Sequence, residues 1–465
     1  MKSRVGNKGI DWVVLTVYGC LLVIGWLMLY ATVYSEDNPT AYLDLSSSIG
    51  KQTLWIGVSL VAFVVIYAID WKVWNTFAYP IYIASMLLLL LVLVFGSEIK
   101  GAKSWFNFGL FSFQPSEIAK YGTALAVSSY LSIYKSDISQ RRTLATALGL
   151  IAVPMVLILL QPDAGSALVY LSFFLLFYRR GLSEIYYVLG FSAIGIFVLS
   201  LMYDPSVVTL SAILIALAVM IYNIAESFRS LMLYIAIAAV SIFLFTNGQM
   251  LYSFALLTVS LIAYVYLYIR ERQLRVPTLA VPAVLVSTLL AYGSRFAFDY
   301  GLESHQQDRI NVWLNPEKCD PRGSLYNIIQ SKLAIGSGGL EGKGFLQGNM
   351  TKLNYVPEQT TDFIFSTVGE EQGFIGTVGV IFLFALLLIR IIIIAERAKT
   401  SFIRNYAYSV AGIIFLHCFV NIGMSVGLMP VIGIPLPFLS KGGSSLLGFT
   451  IMIAALLKMD MARFR

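Results

Sequence analysis

The sequence predicts an all-α, polytopic transmembrane helical bundle. Hydrophobic residues make up 58% of the 465 residues, charged residues only 12%, and the mean hydropathy is +0.79. A soluble domain normally carries about 25% charged residues, so this composition excludes a large globular domain. Apolar runs of spanning length, about 17 to 25 residues, recur along the whole chain and indicate a membrane protein.

Apolar runs separated by polar breaks predict about fourteen spans by the length criterion. Their approximate centres lie near Val23, Ala62, Leu87, Val127, Pro154, Phe173, Ile194, Ile215, Ala236, Leu261, Val286, Phe384, Ile414 and Ile451. The first run follows Lys2, Arg4 and Lys8, as in a signal peptide. It is too long for the apolar core of one and lacks a small-residue cleavage site, so we expect it to be a retained span.

Basic residues are distributed unequally between alternate loops. With the N-terminus inside, the inside segments contain Lys2, Arg4, Lys8, Lys135, Arg141, Arg142, Arg179, Arg180, Arg270, Arg272, Arg275, Arg397, Lys399, Arg404, Lys458, Arg463 and Arg465. The alternate segments 34–53, 161–164, 203–206 and 247–249 hold only Lys51. The positive-inside rule therefore predicts that both termini are cytoplasmic. Because loop charge accounts for the net charge of +7, we do not expect nucleic-acid binding.

This orientation places three informative loops outside, at 97–117, 295–372 and 429–442. The middle loop far exceeds the usual loop length, which is typical of a functional or disordered segment. Its aromatic and aliphatic content is too high for simple disorder. Its glycine clusters, at 336–339 and 342–344, predict tight turns where the backbone approaches a surface or ligand. We expect the loop to fold back onto the membrane surface, with short helices near Leu325–Ile335 and Thr360–Glu371.

Two ionisable residues enter an apolar run about one helical turn apart. Glu117 and Lys120 would share one helix face and could pair. Ionisable groups at membrane depth are costly, which favours a functional role. The alternative is a buried structural ion pair, since breaking such a pair is costly whatever its role.

Two further motifs contain helix-breaking residues. Gln161-Pro-Asp-Ala-Gly165 predicts either a reentrant turn beside a cavity or an ordinary turn in which Asp163 caps the next helix. The proline- and glycine-rich segment Pro430–Ser445 predicts non-helical backbone, which is tolerated at membrane depth only if it is buried or lines a cavity. With Asp362–Glu371, these outer features could form one polar site.

The long outer loop concentrates several carboxylates. Asp299, Asp308, Glu317 and Asp320 all lie in or near it, and Asp320 precedes a proline, as is common at turns. Residue patterns alone do not distinguish which of these acids would be catalytic. The three cysteines have no spacing typical of a metal site, and we predict no metal-ligand set.

Taken as an ordered set, these motifs resemble the SEDS family (shape, elongation, division and sporulation), and within it the RodA branch. The matching strings are Lys103-Ser-Trp105 with Gln114-Pro-Ser-Glu-Ile-Ala-Lys120, Gln161-Pro-Asp-Ala-Gly165, His305-Gln with Arg309-Ile310, Asp320-Pro-Arg-Gly with Gln330-Ser-Lys-Leu-Ala-Ile-Gly-Ser-Gly-Gly339, Thr361-Asp-Phe-Ile-Phe365 with Gly369-Glu-Glu371, and Gly427-Leu-Met-Pro-Val-Ile-Gly-Ile-Pro-Leu-Pro-Phe438. The Ala334–Gly339 and Gly342-Lys-Gly strings favour the RodA branch.

The resemblance implies a glycosyltransferase of the bacterial inner membrane, facing the periplasm. It would polymerise lipid II into the glycan strands of the elongating cell wall, together with a class B penicillin-binding protein and other elongation-complex membrane proteins. Asp320 matches the essential aspartate of the family. Glu117 and Lys120 match its membrane-embedded pair.

The resemblance also implies a division of the chain, because family members usually have about ten spans. We expect an N-terminal membrane core at 1–202, an inserted block of about four spans at 203–294, a periplasmic catalytic loop at 295–372, and a C-terminal core at 373–465. Two departures concern loop geometry. Leu325 replaces a common glycine, and Asn349-Met350 replaces the usual Thr-Gln.

The implied reaction needs a base for a sugar hydroxyl and cations for a departing lipid diphosphate. We expect Asp320 to be the base, with its pKa raised by partial desolvation. Lys120, held by Glu117, is the first candidate for contact with the diphosphate. The other substrate-binding candidates are Trp105, Arg309, Gln330, Ser331 and Lys332. A divalent cation, Mg²⁺ or Mn²⁺, could share this role, although no motif demonstrates one.

Two other functions compete with the polymerase. A lipid II flippase would also show many spans, intramembrane charge and broken segments. However, the sequence contains no convincing internal repeat, and its polar groups gather near one surface. A noncatalytic scaffold that recruits a penicillin-binding protein is the third interpretation.

Overall fold

The computed structural model describes residues 9–34, 44–99, 101–109, 111–133, 137–224, 228–271, 276–319 and 323–464. Asp320 lies outside these ranges. So do several basic residues of the predicted cytoplasmic segments, namely Lys2, Arg4, Lys8, Lys135, Arg272, Arg275 and Arg465. The described chain forms two compact units, one comprising Met1–Ser183 with Asp320–Arg465 and the other Glu184–Cys319. The predicted inserted block 203–294 lies within the second unit, and its boundaries stay a prediction.

The first unit contains thirteen described helices and a small sheet. Its N-terminal helices are α1 (Trp12–Val33), α2 (Ser48–Ala68), α3 (Trp71–Thr76), α4 (Ala78–Phe95), α5 (Pro115–Tyr130), α6 (Arg141–Leu159), α7 (Ala164–Leu168) and α8 (Phe173–Arg179). The second unit contributes α9 (Glu184–Met202), α10 (Pro205–Ile224), α11 (Phe228–Thr246), α12 (Met250–Arg270), α13 (Pro277–Gly301) and α14 (Ser304–Leu314). The chain then returns to the first unit with α15 (Ser324–Ser337), α16 (Asn349–Lys352), α17 (Ile364–Arg397), α18 (Ser401–Ser425) and α19 (Gly443–Asp460).

Twelve helices of the described chain are long and apolar enough to cross a membrane. The predicted spans near Val127 and Phe173 fall short of that length, because α5 has 16 residues and the run Ala164–Arg179 is divided by a 3₁₀ turn. The all-α polytopic class is confirmed, and within the described residues twelve of the about fourteen predicted spans correspond to helices of full spanning length.

The predicted outer loop 97–117 contains a three-stranded antiparallel sheet that the sequence did not predict. Its strands are β1 (Ser97–Ile99), β2 (Ala102–Asn107) and β3 (Ser112–Phe113), paired in that order. The Ser97 hydroxyl donates to the Trp105 carbonyl at 3.0 Å. These short pairings satisfy the backbone between α4 and α5 and lead the chain into α5.

The second unit is centred on α10. Leu217, Met220 and Tyr268 are buried in one apolar cluster, and the Tyr268 hydroxyl donates to the Met220 carbonyl at 2.9 Å. The predicted loop 295–372 begins inside helix, because α13 continues to Gly301. The helix predicted near Leu325–Ile335 is present as α15, and the one predicted near Thr360–Glu371 forms the first turns of α17.

Helix α17 is interrupted at Gly373, where φ is 64° and ψ is −159°. The backbone amides of Lys343 and Gly344 donate to the Glu370 and Glu371 carbonyls, at 3.0 and 2.9 Å. On the other side of the interruption, the amides of Phe374 and Ile375 donate to the carbonyls of the loop residues 339 and 340, at 2.9 and 3.1 Å. The glycine-rich loop therefore caps both helix ends, as buried backbone groups require.

Close packing at this interruption depends on glycine. A Cβ added at Gly373 would lie 2.3 Å from the Gly342 nitrogen, and one added at Gly342 would lie 2.2 Å from the Glu371 carbonyl oxygen. Both glycines also have positive φ. The predicted approach of the glycine clusters to another surface is thus realised, and that surface is α17.

The opposite end of the first unit contains an ionic cluster. Asp11, the N-cap of α1, accepts from Arg390 and Arg397 at 2.6 and 2.8 Å. Arg397 also binds Asp460, at the end of α19. Because both carboxylates are buried, these pairs fix the relative positions of α1, α17 and α19.

We expect Gly373→Ala to lower the free energy of unfolding by at least about 2 kcal/mol, because alanine is strained at this φ and would clash with the loop. Gly379→Ala, further along the same helix in the chain, is the matched control, since a Cβ there meets nothing within 4 Å. Thermal unfolding of the purified variants measures both. Equal unfolding midpoints for the two variants would contradict the role of Gly373.

Candidate functional site

The candidate site is built around a buried ion pair on α5. Pro115 occupies the first turn of this helix, and Glu117 and Lys120 follow on one face. The Lys120 Nζ lies 2.8 Å from the Glu117 Oε2, and the side chains are 1% and 2% exposed. The predicted pairing is therefore present. On the facing helix α19, Gly448 lies beside this pair, and a Cβ added there would be in van der Waals contact with the Glu117 Cβ at 3.4 Å.

His417 on α18 is a third member of this array, and sequence reasoning missed it. Its Nε2 lies 3.0 Å from the Lys120 Nζ, and its Nδ1 lies 3.0 Å from the Pro435 carbonyl oxygen. A carbonyl only accepts, so Nδ1 carries the proton and Nε2 accepts from the ammonium. The ring of Phe449, 5.5 Å from the Lys120 Nζ, covers another side of the cation.

His417 begins a polar face on α18, which consists of His417, Asn421 and Ser425 at intervals of four residues. The Asn421 amide donates to the Asp362 and Ile434 carbonyls at 2.9 and 2.7 Å. One turn further, the Ser425 carbonyl accepts from the Ser331 hydroxyl of α15 at 2.9 Å. This polar face therefore extends from Lys120 to α15, about 12 Å along the helix axis.

Residues 430–442 of the predicted segment are non-helical and mostly buried or half-buried, whereas residues 443–445 begin α19. Besides Asn421, the segment 430–442 is held by Ser440, whose hydroxyl donates to the Thr361 carbonyl at 2.5 Å and accepts from the Leu436 amide at 2.8 Å. Glycines let helices approach it closely. A Cβ at Gly165 would lie 2.8 Å from the Ile432 carbonyl oxygen, and one at Gly25 would lie 2.5 Å from that of Phe438.

The Gln161–Gly165 motif contains both a cap and a contact with α5. Asp163 caps α7 by accepting from the Ser166 amide at 3.0 Å. Its second carboxylate oxygen accepts from the Gln114 side chain at 2.9 Å. The backbone amide of Gln114 donates to the Ser444 hydroxyl at 3.0 Å. The capping interpretation is thus correct, and the motif also ties α7 to the start of α5 and α19.

Glu370 fastens the glycine-rich loop to α17. Its buried carboxylate accepts from the Lys343 ammonium at 2.6 Å, from the Met350 and Thr351 amides at 2.9 and 2.8 Å, and from the Thr351 hydroxyl at 2.7 Å. The neighbouring Glu371 is also fully buried. With its acceptor oxygens occupied, Glu370 has a structural role in the position of the outer loop.

The other predicted site residues have different environments. Ser331 is buried against α18, whereas Lys332 is exposed and its side chain lies over Gly427. Gln330 on α15 and Trp105 on β2 are half-buried. Arg309, also half-buried, lies on α14 in the second unit. Asp320 lies outside the described residues, four positions before α15 begins.

The described ranges contain no group of three or more His, Cys, Asp or Glu side chains that could hold a metal ion. Glu117, Lys120 and His417 are instead enclosed by protein. In this conformation the Lys120 ammonium contacts internal partners, so the array can orient α5, α18 and the segment 430–442 but is closed to an outside ligand. Its contact with a lipid diphosphate stays a prediction.

We expect Lys120→Met to cost about 3 to 5 kcal/mol, because it leaves the Glu117 carboxylate buried without its cation. The double variant Glu117→Leu/Lys120→Met should recover most of this loss, since apolar residues of similar volume replace a buried ion pair at little cost. Thermal unfolding in detergent compares them. A single variant as stable as the unaltered protein would show that the pair contributes no stability.

The chain matches one family model along almost its whole length. The model, FTSW_RODA_SPOVE, described as "Cell cycle protein", matches residues 11–205 and 195–464. The chain is 32% identical to peptidoglycan glycosyltransferase RodA of Treponema pallidum over 457 residues, covering 98% of each. It is 33% identical to peptidoglycan glycosyltransferase MrdB of Escherichia coli over 404 residues, covering 86% of this chain and 83% of that protein.

Solved structures have the same fold. A chain from "Structural coordination of polymerization and crosslinking by a peptidoglycan synthase complex" matches with a TM-score of 0.63 and 27% identity, covering 98% of this chain and 99% of that one. Rod shape determining protein RodA of Thermus thermophilus matches with a TM-score of 0.57 and 24% identity, covering 98% of each. The second likeness shows the fold alone.

Proposed function

Because the chain belongs to the FtsW/RodA/SpoVE family of cell cycle proteins, we infer that it is a peptidoglycan glycosyltransferase. It is a multi-pass membrane protein, in accordance with its twelve apolar helices. The relatives named for this activity match 98% and 86% of the chain. We propose that it works in cell elongation and that its substrate is lipid II, an undecaprenyl-diphosphate-linked disaccharide-pentapeptide.

The proposed reaction transfers a glycan between two lipid-linked sugars. The 4-hydroxyl of one GlcNAc loses its proton to a base, and its oxygen forms a bond to the anomeric carbon of a MurNAc. The bond from that carbon to the lipid diphosphate breaks, and the diphosphate leaves with the electron pair. We propose that the Asp320 carboxylate is the base, activated by partial desolvation near the bilayer.

The observation that best supports this proposal is the polar face of α18. It connects the buried Glu117–Lys120 pair to Ser331 on α15, and Asp320 precedes α15 by four residues in the chain. The Glu117–Lys120 pair and Ser331 are therefore both bound to α18 within one unit. Preorganised groups of this kind hold a site in its reactive geometry.

Lys332 and Lys120 differ in whether their ammonium groups could contact the lipid diphosphate. Lys332 is exposed on α15 and is able to reach a ligand, whereas Lys120 is 1% exposed. We propose that Lys332 contacts the leaving group and that Lys120 positions α5 and α18 around it. Trp105, Arg309 and Gln330 are further candidates for substrate contact.

We propose that both termini are cytoplasmic and that Asp320 faces the periplasm, which the positive-inside distribution supports. A class B penicillin-binding protein is the proposed partner. The solved relative belongs to a complex that coordinates polymerisation with crosslinking, which supports a crosslinking enzyme as the partner.

We expect Asp320→Asn to abolish glycan strand synthesis from lipid II, because the amide cannot take the hydroxyl proton. Glu317→Gln is the matched control, since it removes a carboxylate from the same loop and should leave synthesis unchanged. Purified variants with the partner present are incubated with lipid II, and the products are separated on a gel. Asp320 would be refuted as the base if the Asp320→Asn variant still produced a ladder of glycan strands. The same would hold if only the Glu317→Gln variant failed to produce one.

The same assay decides the role of the buried pair. We expect Glu117→Leu/Lys120→Met to fold but to lose about a hundredfold in rate, because a small misplacement of reacting groups has an effect of this size. A stable and fully active double variant would show that the pair is purely structural. Adding a chelator to the unaltered protein tests whether Mg²⁺ or Mn²⁺ assists the leaving diphosphate.

A further inference from the structure

Residues 304–319 form an arm of the second unit that leads directly to Asp320. The arm consists of helix α14 and the 3₁₀ turn that follows it, and all of it belongs to the second unit. Asp320 is bonded to Cys319, and consecutive Cα atoms lie about 3.8 Å apart, so the position of Cys319 limits where Asp320 can be. The contacts that fix this arm therefore bear on the proposed base.

Asn315 fastens the far end of the arm to α9. It is the C-cap of α14, and it is 9% exposed. Its side-chain amide donates to the Leu201 carbonyl at 3.3 Å. Leu201 is among the last four residues of α9, whose carbonyl oxygens have no partner within the helix. One hydrogen bond therefore caps α9 and attaches the arm to it.

Asn315 is also bound to the turn that contains Cys319. Its carbonyl oxygen accepts from the Lys318 amide at 3.0 Å, and the Cys319 amide donates to the Pro316 carbonyl at 3.2 Å. The Cys319 thiol lies 3.9 Å from the Asn315 carbonyl oxygen, within hydrogen-bond range for sulfur. Because these bonds join the five residues into one turn, a displacement of Asn315 displaces Cys319 as well.

Gln307 fastens the near end of the arm to α13. Its side-chain amide donates to the Phe298 carbonyl at 2.7 Å, in the last turn of α13, and lies 3.2 Å from the Leu302 carbonyl, just past the end of that helix. Between the two ends, α14 packs against α9. The arm is thus attached to two helices of the second unit.

We propose that Asn315 is a positioning residue for the glycosyl transfer, because it anchors to α9 the arm from which Asp320 follows. This inference rests on the proposed function, in which Asp320 is the base. A general base must lie within about 2.6 to 3.2 Å of the hydroxyl whose proton it takes, and a displacement of about 1 Å can cost about a hundredfold in rate. The second unit, through α9, then contributes to the geometry of the reaction.

Cys319 reports on this anchor independently of the reaction. The thiol is half-buried, and burial raises its pKa, as do the charges of Asp308 and Glu317. A thiol with a raised pKa reacts slowly with maleimide, because the thiolate is the nucleophile. Release of the turn removes this burial, so the labelling of Cys319 becomes faster.

The experiment compares Asn315→Leu with the unaltered full-length protein in nanodiscs, with the partner present. Leucine has a similar volume but cannot donate to the Leu201 carbonyl. We expect kcat for strand synthesis from lipid II to fall at least about tenfold and KM to change less than about twofold, because the reacting geometry is lost while substrate contacts are kept. Maleimide labelling of Cys319, read from its peptide by mass spectrometry, should become at least about tenfold faster.

Asn247→Leu is the matched control. The Asn247 side chain also donates to a backbone carbonyl of the second unit, that of Phe243 at 2.8 Å. It lies just past the end of α11 and outside the arm. We expect this variant to change neither kcat nor the labelling rate of the Cys319 thiol.

Unchanged kcat in Asn315→Leu overturns the inference, whether or not KM or the labelling rate changes, and so does an equal loss of kcat in Asn247→Leu. Where Asn315→Leu fails to fold, Gln307→Leu releases the near end of the arm and decides by the same two measurements. Strands from Asp320→Asn refute the base itself. If the inference alone is wrong, Asp320→Asn is inactive while Asn315→Leu retains full kcat.

Discussion

The structure of the first unit depends on a lysine ammonium that is almost completely removed from solvent. Lys120 has a charge that could not be buried alone, because the desolvation of a single ion costs several kcal/mol. Glu117 supplies the opposite charge and His417 supplies a neutral acceptor, at 2.8 and 3.0 Å. The partners come from α5 and α18, and His417 in turn binds the Pro435 carbonyl. Satisfying one cation therefore fixes two helices and a non-helical segment together.

Irregular backbone in this protein is tolerated where other parts of the chain satisfy it. At Gly373, the glycine-rich loop supplies both donors and acceptors to the two ends of α17. In the segment 430–442, Asn421 and Ser440 perform the same task with side chains. Each irregular region has a buried carbonyl or amide that would otherwise be unpaired at membrane depth, which is why it has a polar residue or a glycine opposite it.

Much of the fold could be predicted from the sequence because the length of an apolar run can be read directly along the chain. Apolar runs predicted each helix long enough to cross a membrane, and the spacing of Glu117 and Lys120 predicted their pairing. His417 was missed because its partner is 297 residues away in the chain, and a single histidine in an apolar run has no pattern. The strands β1 to β3 were missed because they are too short for alternation to show. The predicted span near Val127 corresponds to α5, whose 16 residues fall short of full spanning length.

Contacts of the site with substrate could not be derived in this way. The motifs give residue types, but whether Lys332 or Lys120 is exposed depends on how α15 and α5 each pack against α18. The exposed lysine lies over Gly427, just beyond the end of α18, and the buried one lies three helical turns deeper. Only the fold distinguishes two lysines that both sit in matching motifs.

The regular spacing of His417, Asn421 and Ser425 has a mechanical consequence. Three separate structures are fastened to one side of a single rod, so turning that rod about its long axis would release all of them in the same movement. Each of these hydrogen bonds is worth about 1 kcal/mol, and the buried charge adds several more. The position of α15 is therefore restrained through the same helix face that holds Lys120 and the segment 430–442.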